Sequence, residues 1–138
     1  GLRPFSQYQA TGYRLLLHLS KGHYSETDVY WAHAPLGKDE RASIALLTDR
    51  HLFLLEKCRF WGGWDIQWSV RLEDILSVPT VSGNSLVIKV RQDESLASFT
   101  GDERHVVCED QEVLEWLKLK VEKVLLTNME ERPCSLDS

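Results

Sequence analysis

The sequence predicts a mainly β protein of the α+β class, with seven short antiparallel strands closed by one long C-terminal amphipathic helix and an extra helix at the N-terminus. Three observations carry this reading. Between residues 29 and 108 the apolar residues alternate or fall in short runs parted by Gly, Pro, Asn and Asp. Residues 110–127 switch to helical spacing. The chain has 138 residues, 43% hydrophobic and 27% charged, the length and balance of one domain with an ordinary core.

The elements follow in order. Residues 7–20, "QYQATGYRLLLHLS", place Tyr8, Leu15, Leu16 and Leu19 at near-helical intervals, although Gly12 weakens the helix. "VYWAHA" from Val29 alternates loosely. "SIALLTDRHLFLLEK" is two apolar runs parted by "TDR", the spacing of a tight antiparallel hairpin. After Gly62 and Gly63 the alternation becomes strict, so Trp64, Ile66, Trp68 and Val70 are expected on one inward face, opposite Asp65, Gln67, Ser69 and Arg71. Phe60 and Trp61 lie before that turn, outside the alternation.

"EDILSVPTV" reads as a short strand whose Pro79 cannot donate to a ladder, which assigns it to a sheet edge or a bulge. "SGNS" is a turn, "LVIKV" a strand with Leu86, Ile88 and Val90 inward, and "RHVVCE" the last strand. In the closing helix Asp110 caps the start, and Val113, Leu117, Val121 and Val124 form the apolar stripe, with Leu114 and Leu125 beside it and Trp116 at its margin. Three regions result: a lead-in helix (1–22), the main domain (23–128) and a flexible tail (129–138).

Composition removes several classes of function. The longest apolar runs fall far short of the roughly 20 residues of a spanning helix. The chain opens on Gly1 without a methionine and reads as a piece of a longer protein. A net charge of −5 argues against nucleic-acid binding, although eight acids against one base are concentrated between Asp93 and Glu115 and the remainder is mildly basic. The odd count of Cys58, Cys108 and Cys134, with no C-x-x-C pair, suggests free thiols in a reducing compartment. His18, His23, His33, His51 and His105 are scattered without ligand-like spacing, so no metal or other cofactor is expected. Cys58 beside Arg59 has no identifiable base, and "TVSGNS" lacks the lysine of a phosphate loop. No catalytic site is expected, and the chain does not read as an enzyme.

The order of elements resembles the pleckstrin homology (PH) and GRAM superfold, in which two roughly orthogonal antiparallel sheets form a partly open barrel capped by a C-terminal helix. "ALLTDRHLFLLE", the tryptophan-bearing strand, "VRLEDILSV" and the lead-in "GYRLLLHLSKGHY" resemble the PH-like domain at the C-terminal end of the chorein family, the vacuolar-protein-sorting bridge-like lipid-transfer proteins, over residues 10–128. The resemblance implies an accessory module that holds the end of a lipid-transfer rod at an organelle membrane or contact site. It would be a cytoplasmic, peripheral adaptor whose partner is a membrane protein or a small GTPase.

Two kinds of site follow. PH-like domains bind phosphoinositide headgroups through basic loops, and here Lys38 and Arg41 in "PLGKDERA", with Lys57 and Arg59, would share one rim. Asp39 and Glu40 interrupt the motif, which leaves weak attraction to anionic lipid at about 1 kcal/mol per base. Phe60 and Trp61 form a candidate membrane or partner loop. The favoured alternative is protein recognition in a groove between an edge strand, Ser77 to Ser82, and the helix flank near Val113 to Val124, with Ser77, Val78, Thr80 and Val81 as candidate contacts.

Overall fold

The computed structural model describes residues 14–16, 19, 28–37, 43–57, 63–91 and 103–131. Among these residues are seven strands: β1 (Tyr30–Pro35), β2 (Ser43–Thr48), β3 (His51–Lys57), β4 (Trp64–Arg71), β5 (Thr80–Ser82), β6 (Ser85–Lys89) and β7 (Glu103–Val107). The helix α1 (Gln111–Glu131) follows them. The strands form a four-stranded antiparallel sheet in the order β1-β2-β3-β4 and a three-stranded one in the order β5-β6-β7. Only the isolated Ile75–Val90 bridge lies outside these ladders among the described residues, and the two sheets do not join into a closed barrel.

The four-stranded sheet is covered on both faces, and the sequence of β2 records it. Ile44 through Thr48 are all buried, a continuous run instead of an alternation. Ala45, Leu47 and Leu52 face a main core that includes Leu86, Ile88 and Val106 of the second sheet and Leu114, Leu117, Val121 and Val124 of α1. Ile44, Leu46, Phe53 and Leu55 face the other way, against Leu15 and Leu19 of the lead-in, which are helical and buried. The lead-in leucines are therefore a third layer of the domain.

One expectation for β4 is corrected. Leu54 pairs with Trp68 and Leu55 with Ile66, which leaves Gln67 as the extra residue of a β-bulge. The bulge reverses the alternation in mid-strand. Trp68 packs against the main core, whereas Trp64 and Ile66 pack against the lead-in cluster, each only partly buried. Period two places residues on one face only where the ladder is unbroken.

The stretch from residue 73 to 81 is also less regular than expected. Leu72–Asp74 form a 3-10 turn, and Leu76 donates its N–H to the Lys89 carbonyl at 2.9 Å. The strand begins only at Thr80, after Pro79, at the edge of the second sheet. The β5–β6 hairpin turns at Gly83, whose φ of 61° a side-chain-bearing residue rarely adopts.

Helix α1 starts where Asp110 accepts the Glu112 N–H at 2.9 Å. Its fully buried stripe is Leu114, Leu117, Val121 and Val124, with Val113 and Leu125 half-buried beside it. Trp116 is exposed, with the Lys120 ammonium 5.5 Å from its ring. The helix runs through Glu131, so Met129 to Glu131 belong to it instead of to the expected tail; residues 132–138 lie outside the described set.

Candidate functional site

Three pieces of chain enclose an open groove of about 840 Å³. One wall is the connection from β4 to β5, which contributes Leu72, Ile75, Leu76, Ser77 and Val78. The other is the end of α1, with Glu122, Leu125, Leu126 and Met129. The Asp49–Arg50 turn and His51 complete it. Two hydrogen bonds tie the pieces together: Asn128 Nδ2 donates to the Asp49 carbonyl at 2.9 Å, and the Leu72 N–H donates to the Arg50 carbonyl at 2.8 Å.

The turn itself is set by Thr48. Its buried hydroxyl oxygen accepts the His51 N–H at 2.9 Å and the Arg50 N–H at 3.2 Å, and its own proton goes to Asp28 Oδ2 at 2.6 Å. The Asp28 carboxylate, whose side chain is only 2% exposed, also lies 2.7 Å from His51 Nδ1. A carboxylate accepts, so Nδ1 carries a proton and the imidazole is held in one orientation, stacked on Phe53 at 5.3 Å.

Apolar side chains line the groove without filling it. Leu76 is 60% exposed, Leu126 55%, Met129 68% and Val78 40%. Helix and sheet faces normally bury such residues, and this exposed group is what makes the groove a candidate site. The charges divide unequally. Arg71 is engaged by Glu73 and Asp74, each at 3.1 Å, whereas Glu122 has no hydrogen bond or ion pair among the described residues.

Of the candidates read from sequence, Ser77 and Val78 line this groove. Thr80 and Val81 do not: they lie on β5, where Val81 packs into the main core. The helix flank that borders the groove is Glu122 to Met129, about two turns beyond the centre of the expected one. Lys57 ends β3, paired across the sheet with Trp64. Lys38, Arg41, Arg59, Phe60 and Trp61 lie outside the described residues. Sequence reasoning missed Leu76, Leu126, Met129, Glu122 and His51. A signal was present in "VLLTNM", where Leu126 and Met129 add apolar residues beyond what the buried stripe uses. No group of His, Cys, Asp and Glu suited to a metal ion occurs among the described residues, and no described helix is long and apolar enough to cross a membrane.

Residues 1–112 match the family described as intermembrane lipid transfer protein VPS13, C-terminal, and the chain belongs to that family. It is also similar to the intermembrane lipid transfer protein VPS13C of Mus musculus, with 27% identity over 92 residues, covering 66% of this chain and 2% of that protein. The chain therefore spans a small fraction of the relative's length. The expected chorein-family membership is borne out. The family match ends at Glu112, so it takes in the sheets but almost none of α1.

Proposed function

We propose that this chain is a non-catalytic, PH-like targeting module that docks the end of a bridge-like lipid-transfer protein at an organelle membrane by binding a protein partner. The observation that carries the reading is the groove. Leu76 and Val78 on one wall and Leu126 and Met129 on the other line the same open groove of about 840 Å³ and stay exposed there. The four-plus-three sheet arrangement with a C-terminal helix is the order of elements of PH-like modules, and such folds recognise peptides at this kind of strand–helix junction. Membership in the family described as intermembrane lipid transfer protein supports a cytoplasmic, peripheral position at a contact site as part of this reading.

The test is recruitment in cells. The chain fused to a fluorescent protein is expected to concentrate on one organelle, and Leu76→Asp with Met129→Asp is expected to disperse it while leaving the melting temperature unchanged. The reading fails if those variants localise normally. It also fails if localisation instead follows sedimentation with phosphoinositide vesicles and is lost on charge reversal at Lys38, Arg41, Lys57 and Arg59, which would make the module a lipid-headgroup binder.

A further inference from the structure

Resting on the reading of the groove as a protein-docking site, we infer that its occupant is a cationic segment, a lysine- or arginine-bearing stretch of a partner protein with large apolar side chains beside the charge. The charged group that the groove leaves without a partner among the described residues is an acid, Glu122. Asp28 accepts the hydrogen bond from His51 Nδ1, which leaves Nε2 as the ring nitrogen still open to a partner group. No described residue donates to it. Glu122, half-buried on the helix face of Leu125, Leu126 and Met129, makes no ion pair or hydrogen bond among the described residues.

The bases of the groove do not offset this. Arg71 is shared between Glu73 and Asp74, so that cluster is net negative, and Arg50 has interactions of its own. An apolar groove whose unpartnered charge is an acid attracts a basic amphipathic segment. A partner lysine or arginine reaching Glu122 would gain a charge-assisted hydrogen bond next to apolar side chains, where screening is weaker than at the open surface. The apolar neighbours of that cation would cover Leu76, Val78, Leu126 and Met129.

The experiment is a selection from displayed random twelve-residue peptides against the full 138-residue chain, followed by fluorescence anisotropy on the enriched sequences. Enriched peptides are expected to carry Lys or Arg next to Leu, Ile, Phe or Trp. Their binding should fall at least about tenfold with Glu122→Lys and with Leu126→Asp, and should weaken with added salt. Both variants are checked by thermal melting, and Glu122→Gln replaces Glu122→Lys if the latter does not fold. If Leu126→Asp abolishes binding but the Glu122 variants do not, or if the enriched peptides are acidic, the groove remains a docking site and the cationic occupant is wrong. If neither position matters, or if no peptide is enriched while the chain sediments with phosphatidylserine vesicles, both readings fall.

Discussion

Ile66 and Trp68, one residue apart on β4, lie on opposite faces of the four-stranded sheet. Ile66 pairs with Leu55 and joins the cluster under the lead-in, whereas Trp68 pairs with Leu54 and joins the main core. Gln67 between them is the bulge. Deleting Gln67 leaves every remaining β3–β4 pair on its present face, so the shortened chain is expected to fold within about 1 kcal/mol of the parent. Deleting Ser69 moves Trp68 to the wrong face and is expected to prevent folding. Urea titrations of the two deletions decide this; equal losses would mean that the bulge does not set the register.

The lead-in leucines are expected to behave as core. Leu19→Ala should cost about 2 to 5 kcal/mol, since Leu19 is buried against Leu46 and Phe53 of the sheet. Removal of residues 1–22 should expose that face and produce dye-binding, aggregating material. A soluble, cooperatively melting fragment would place the domain boundary after the lead-in instead.

Helix α1 gives a contrast within one element. Leu117→Ala removes a fully buried side chain and is expected to cost about 2 to 5 kcal/mol. Leu119→Ala, on the exposed side, should stay within about 0.5 kcal/mol. Truncation after Cys108 should abolish cooperative unfolding, because the main core then loses one of its three walls.

His33 makes stability depend on pH. Burial on β1 pushes its imidazole below the ordinary value, with the Tyr30 hydroxyl 2.8 Å from Nδ1. The folded state therefore binds a proton less readily than the unfolded chain. This contribution to stability is complete above the unfolded pKa of about 6.5 and is lost as pH falls from there toward the folded pKa. Its slope cannot exceed about 1.4 kcal/mol per pH unit for one proton. Urea midpoints between pH 7.5 and 5.5 should fall more steeply for the parent than for His33→Gln; parallel curves would remove His33 from the account.

Much of the fold was legible in the chain because local patterns agreed with tertiary needs. "TDR" between two apolar runs sits at a two-residue reversal because the Thr48 hydroxyl can accept the N–H groups of Arg50 and His51. Pro79 marked an edge, since it has no N–H to offer a ladder. The stripe of α1 was readable from its 3.6-residue period, apart from the ranking of Val113 and Leu114. Strand β4 misled because a bulge has no signature in apolar alternation: Gln67 looks like any outward polar residue.

The groove was only half legible. Ser77 and Val78 could be picked out beside Pro79, but Thr80 and Val81 turned inward or along β5 once the strand began. Leu126 and Met129 looked like continuations of the helix's apolar face.

By itself the sequence determined the number and order of strands, the closing helix, the edge at Pro79 and the family resemblance, because each depends on residues close together in the chain. The tertiary structure alone decided which side of the sheet each tryptophan serves, that the lead-in is a packed layer, and that Leu76, Val78, Leu126 and Met129 meet around His51. Those are contacts between segments up to about eighty residues apart, as in the Asn128 to Asp49 hydrogen bond. Their geometry is set by bulge, turn and helix length acting together, and no single stretch of sequence encodes that combination.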